Sequence, residues 1–110
     1  MSFYRAATLD ELWSGEKLAC VIADHRVLLV NIEGVVCAFE DRCRHKGMPL
    51  SEGRLRDHVL TCAAHGWQYD ARDGCGINPD SVALRRYPVK IEGNEILIDI
   101  AGEETNGERA

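Results

Sequence analysis

Two short clusters constrain this chain more than anything else in it: Cys43-Arg44-His45 and Cys62-Ala63-Ala64-His65. They read C-x-H and C-x-x-H, with sixteen residues between His45 and Cys62. Each cluster sets a thiolate beside an imidazole. Four such donors can complete a tetrahedral zinc, or divide between the two irons of a mixed-ligand cluster. Either metal would tie two separate loops to one point. Structural zinc sites usually use C-x₂₋₄-C and H-x₃₋₅-H spacings. Here each half is Cys followed by His, and the first half must bend if both side chains are to reach one metal. A two-iron cluster relaxes that demand, because each loop can give its cysteine to one iron and its histidine to the other.

Around these clusters the pattern is that of strands. Thr8 and Glu11 form a capping-box pair that predicts one short helical turn, with Leu9, Leu12 and Trp13 on its apolar side plugging one end of the fold. Leu18–Ile22, Arg26–Ile32 and Val35–Phe39 are short and β-prone, with turns at Ala23-Asp24-His25 and Glu33-Gly34. They predict an antiparallel meander. Cys20 and Cys37 fall inside these apolar runs and are expected to be buried, inert thiols. His25 is expected in a turn, facing solvent. Gly47 and Pro49 make the first ligand segment a loop. A hairpin arm over 50–58 and a strand at Val59–Thr61 lead into Cys62. His58 fits the spacing of neither ligand pair.

Gly66–Asp70 alternates as a strand, and Cys75–Asp80 reads as a constrained loop. Val82, Ala83 and Leu84 are expected to re-enter the core. Tyr87–Ile91 and Glu95–Ile100 read as strands joined at Glu92-Gly93-Asn94. About eight to ten strands and almost no helix predict an all-β domain, a small antiparallel sandwich or barrel base. The ligand stretch would be a lobe inserted on that base. One domain over residues 1–100 is expected, with the lobe at about 41–67, a covering loop at about 74–80, and a flexible tail over 101–110.

Length and charge limit the functional classes. A chain of 110 residues is one domain's worth. The formal net charge of −5 disfavours nucleic acid and anionic membranes as partners, and permits docking to a basic protein surface. No segment approaches the roughly 20 apolar residues of a membrane span, and no secretory signal opens the sequence. A cytoplasmic protein is expected, in which five cysteines are not a disulfide framework.

The ligand pattern resembles that of Rieske-type [2Fe–2S] proteins, over about Phe3 to Ile100. Cys43 and His45 match the first half of the family motif, and Cys62 and His65 the second. Gly47, Leu50 and Gly66 match its two cluster loops, and Asn78-Pro79 falls where the family has a proline-containing covering loop. The resemblance implies one [2Fe–2S] cluster held by Cys43, His45, Cys62 and His65, with the histidine edge turned outward. Cys75 is then a bystander thiol.

Respiratory-type members carry an additional cysteine in each loop, joined as a disulfide, where this chain has Met48 and Ala64. They also carry a serine at the position of Trp67, while Tyr69 matches their tyrosine. One hydroxyl instead of two near the cluster sulfurs implies the low-potential ferredoxin branch. The start Met1-Ser2-Phe3, Trp67, Gly74–Pro79, Leu84 and Tyr87-Pro88-Val89 are similar to the ferredoxin components of multicomponent monooxygenases of the toluene monooxygenase type. That similarity implies a soluble, monomeric electron carrier with no catalytic site of its own. It would link an NADH-dependent flavin reductase to the diiron hydroxylase component of an aromatic monooxygenase. The alternatives are the ferredoxin of an aromatic ring-hydroxylating dioxygenase and the small Rieske subunit of a nitrite reductase. Arg44, Lys46, Met48, Pro49, Ala63, Ala64, Trp67 and Pro79 are expected to surround the exposed edge.

Overall fold

The fold was obtained as a computed structural model, in which the described residues are 3–64 and 66–101. His65 and the tail from 102 onward lie outside them, and so do the expectations placed there.

Eleven short strands and two three-residue 3-10 turns make up the described chain. The expected meander is present as β2 (Lys17–Ile22), β3 (His25–Ile32) and β4 (Val35–Glu40), and β9 (Arg86–Tyr87) completes a central sheet in the order β2-β3-β4-β9. A base sheet pairs β1 (Tyr4–Thr8), β11 (Glu95–Ile98) and β10 (Val89–Glu92). A third sheet runs β5 (Arg54–Arg56), β6 (Val59–Thr61), β7 (Gln68–Asp70) and β8 (Gly76–Asn78) in sequence order. Every strand pair is antiparallel.

The run Val27–Ile32 lacks polar alternation except at Asn31, and its place in the fold explains why. A strand covered on both faces needs apolar side chains on both. Leu28, Val30 and Ile32 enter a core shared with Phe39, Leu60, Tyr69, Cys43 and Cys62. Val27 and Leu29 point the other way, into a core with Ala7, Leu12, Tyr87, Ile96 and Ile98. The central sheet is therefore the middle layer between the base and the third sheet. Asn31, buried within it, donates from its side-chain amide to Leu12 O at 3.0 Å and accepts from Gly34 N–H at 2.9 Å.

Pro88 moves the chain from one layer to another. Tyr87 pairs with Ala38 in the central sheet, whereas Val89 pairs with Ile98 in the base. Proline has no N–H to give to a ladder, so a continuous strand breaks there. The single strand expected over Tyr87–Ile91 is consequently two.

Other expectations need correction. Thr8 N–H donates to the Glu11 carboxylate at 2.9 Å, so the capping pair forms, but it opens a 3-10 turn of only Leu9–Glu11. Leu12 is buried beneath it, while Trp13 is 69% exposed. The Trp13 indole N–H donates to Asp10 O at 2.9 Å, which holds the ring outside the core. Cys20 is half-buried rather than buried, because β2 is an edge strand of the central sheet. Burial, and then the nearby Asp41 charge, push its thiol above the ordinary value. His25 is exposed but begins β3 instead of lying in the turn. The segment expected as a loop after Cys75 contains β8, which pairs with β7. Of the three residues expected to re-enter the core after it, Leu84 is buried and Ala83 is exposed.

Candidate metal centre

One loop leaves the central sheet and one lies within the third, and the two converge on one another. The first, 42–50, joins β4 to the 3-10 turn Leu50–Glu52, and the second, 62–67, joins β6 to β7. Their backbones follow one plan. In the first, Cys43 N–H donates to Met48 O at 2.8 Å, and Gly47 N–H returns to Cys43 O at 2.9 Å. In the second, Cys62 N–H donates to Trp67 O at 2.8 Å, and Gly66 N–H returns to Cys62 O at 3.1 Å. Both glycines have left-handed backbones, φ +76° at Gly47 and +74° at Gly66. The repeat is therefore cysteine, glycine four residues later, and a closing carbonyl five residues later. C-x-H and C-x-x-H look different only because the histidine occupies the third position of one loop and the fourth of the other.

This common frame also revises the argument from spacing. The first loop is already a tight turn, so the bend that a single metal would demand is present. What distinguishes the candidates is where the donors gather. The two thiols meet. Cys43 and Cys62 are each 2% exposed, share one core, and lie within hydrogen-bonding contact of each other.

The surroundings of Cys43 suit a thiolate. Burial pushes its thiol up, but the Tyr69 hydroxyl, the backbone N–H groups of His45 and Lys46, and the Cys62 side chain outweigh it, so Cys43 sits below the ordinary value. Tyr69 rises from β7 with its ring fully buried and its oxygen 3.5 Å from Cys43 Sγ. That oxygen accepts from Arg44 N–H at 3.1 Å, which leaves its own proton for the sulfur. Burial, followed by the hydrogen bond to Cys43, raises the Tyr69 hydroxyl well above its usual value. It therefore stays protonated and remains a donor.

His45 is half-buried and stacks on Trp67, with ring centroids 4.6 Å apart and planes at 27°. The closing residue of the second loop thus supports the imidazole of the first. No cysteines are joined as a disulfide, in keeping with Met48 and Ala64 in the two loops. His58 lies 3.8 Å from Asp70 and Cys75 bridges to Ala83.

Sequence reasoning missed the clamp at the base of the first loop. Asp41, read as part of a charged exit, is only 4% exposed. Its carboxylate accepts from Ser51 N–H at 2.8 Å and from the Ser51 hydroxyl at 2.7 Å. A buried carboxylate requires such donors. Here they join the two ends of the ligand loop, and Leu50, fully buried, fastens the same end into the core. The signal available beforehand was an acidic residue just before a Cys-x-His loop, paired with a serine just after it.

The donor set, two buried thiols in a thiolate-favouring pocket with an imidazole braced beside them, fits an iron–sulfur cluster with mixed ligands. Comparison with known proteins agrees. Residues 2–88 match the Rieske [2Fe–2S] domain model, and the chain belongs to that family; it carries one Rieske-type [2Fe–2S] cluster. Among its relatives is the ferredoxin component of the alkene monooxygenase system of Xanthobacter autotrophicus, 40% identical over 89% of this chain and 81% of that protein. The ferredoxin component of biphenyl 2,3-dioxygenase of Rhodococcus jostii is 33% identical over 93% and 96% of the respective chains. In solved structures, the ferredoxin of carbazole 1,9a-dioxygenase from Nocardioides aromaticivorans superimposes with a TM-score of 0.81. It is 29% identical, over 89% of this chain and 97% of that one. The relatives are electron carriers, and this chain is likewise not an enzyme in its own right. No helix among the described residues is long and apolar enough to cross a membrane.

Proposed function

We propose that this chain is the one-electron carrier of a multicomponent oxygenase system, delivering electrons to the hydroxylase of an aromatic or alkene monooxygenase. The observation that carries the reading is the convergence of Cys43 and Cys62 at the head of two matched loops, with Tyr69 aimed at the sulfur. When bound, a [2Fe–2S] cluster takes up and gives up a single electron. The protein's part is to hold it: Cys43, His45, Cys62 and His65 would supply its four ligands, and of these Cys43 and Cys62 are buried. Tyr69 steadies the sulfur, Trp67 braces the His45 ring, and Asp41 with Ser51 closes the first loop. The ligand loops and the third sheet form the cluster lobe on a base made by the other two sheets. An NADH-dependent flavin reductase is the proposed electron donor. A cytoplasmic monomer suits a shuttle that must meet two partners in turn.

The strongest support for a monooxygenase partner is the similarity to the alkene monooxygenase ferredoxin. A dioxygenase partner is the second reading, supported by the similarity to the biphenyl dioxygenase ferredoxin. Reconstitution separates them. The reduced protein is expected to sustain turnover of a diiron hydroxylase, and support of a Rieske oxygenase alone would reverse the assignment. The purified protein is expected to be brown, with two irons and two acid-labile sulfides per chain. Its EPR signal after reduction should have the low average g of mixed ligation. His45→Ala and His65→Ala should each abolish that signal, while His25→Ala and His58→Ala leave it. A colourless protein with one zinc would refute the reading.

A further inference from the structure

The charge of this chain is unevenly placed. Residues 42–57, which hold the first ligand loop and β5, carry five basic side chains and two acidic ones, a net of +3. The rest of the chain therefore carries −8 of the total −5. Arg42, Arg44 and Lys46 are exposed on the first ligand loop, where Arg42 to Gly47 line a cleft of about 450 Å³. Arg54 and Arg56 are exposed on β5. They line a second and larger cleft, about 830 Å³, whose far wall is Cys62, Ala63 and Gly66 of the second ligand loop. Glu52 and Asp57 also line this cleft, so its own charge is balanced and the excess lies on the first loop. None of the five cations closes an ion pair among the described residues.

Between the basic side chains the loops expose small and apolar ones. Met48 is 38% exposed, and Ala63 and Ala64 are exposed. An apolar centre with arginines around it is the composition of a protein-docking surface. We infer that the ligand-loop face docks an acidic surface on the oxygenase component, with Met48, Ala63 and Ala64 at its centre and Arg44, Lys46, Arg54 and Arg56 at its margin. The inference rests on the electron-carrier reading and adds the sign of the partner. It is opposite in sign to the expectation drawn from net charge, because at cellular salt a docking partner within about 8 Å feels the exposed cations of this face more than the −8 spread over the rest of the chain.

Two small outer-sphere oxidants test the sign without requiring the natural partner. Ferricyanide is an anion and hexaamminecobalt(III) a cation. Each takes one electron from the reduced holoprotein, which returns to its oxidised form. Between 0.1 and 1 M salt the screening length falls from about 10 to about 3 Å, so the neighbourhood of the cluster dominates. The ferricyanide rate is expected to fall about threefold over that range and the hexaamminecobalt(III) rate to rise. In the Arg44→Glu/Lys46→Glu variant both slopes should change sign, with the visible and EPR spectra unaltered. Arg54→Glu/Arg56→Glu, on an exposed strand, should weaken them in the same direction.

Binding supplies a readout independent of electron transfer. Titration with a decaglutamate peptide is expected to shift backbone amides of β5 and to leave those of the base sheet in place. Slopes of the opposite sign, or peptide shifts confined to the base sheet, would overturn the docking inference and leave the carrier reading intact. A chain that binds no [2Fe–2S] cluster would instead refute the carrier reading before either oxidant is added.

Discussion

Tyr69 shows how one buried hydroxyl connects the fold to the chemistry. It is anchored by its place on β7, accepts from Arg44 N–H, and so has one proton left to direct at Cys43 Sγ. A donor near a cluster sulfur stabilises the reduced, more negative state. Tyr69→Phe is expected to lower the reduction potential by roughly 50 mV, about one hydrogen bond's worth at 59 mV per tenfold change. Protein-film voltammetry measures it, and an unchanged potential would show that the contact does not act on the cluster. Asp70, the next residue, acts on stability. The Arg72 guanidinium, bonded through Nη2 at 2.7 Å and Nε at 2.9 Å, holds the Asp70 carboxyl below its ordinary range despite opposing burial. A carboxylate with a depressed folded pKa stabilises the protein above its unfolded value, near 3.9. That contribution disappears as pH falls through the folded value. Asp70→Asn should therefore lower the thermal midpoint at pH 7 and at pH 5, and the gap to the parent should close below about pH 3.9. A gap that widens with acid would contradict the assigned sign.

At the scale of the element, the ligand loops are two copies of one turn, each dependent on a left-handed glycine. An L side chain in that conformation costs about 1–2 kcal/mol. A methyl group at Gly66 would meet nothing within 4 Å, whereas at Gly47 it would lie 3.2 Å from Arg42 Nε. Gly66→Ala should thus lose only the backbone strain. Gly47→Ala should lose that and also displace Arg42, so its cluster should bleach faster on heating. Equal bleaching rates for the two variants and the parent would show that neither turn needs its glycine. The common frame was hidden in the sequence because the eye aligns the histidines, while the backbone aligns the cysteines and glycines.

At the scale of the molecule, two cores share the central sheet. Cys43 and Cys62, the proposed cysteine ligands, belong to one of them, with Leu28, Leu60 and Tyr69. The other, with Leu29, Ile96 and Ile98, contains neither. A bound metal stabilises what its ligands join. Removal of the cluster is therefore expected to raise hydrogen exchange in β5–β8 well before β10 and β11. Loss of protection at one rate throughout would mean that the layers unfold as a unit.

The all-β class, the meander and the family could all be read from the sequence, because each rests on residue type and short spacing. The apolar run of β3 even signals a strand covered on both faces. Long-range geometry lay beyond that reading. The meeting of Cys43 with Cys62, the Trp67 ring beneath His45, and the closure of the loop by Asp41 and Ser51 each join segments that local pattern treats separately. The same holds for the change of layer at Pro88, since a proline announces a break but not which sheet receives the next strand. Net charge says nothing of the docking face for a related reason: it sums over the whole surface, and only folding decides which charges stand beside the two loops.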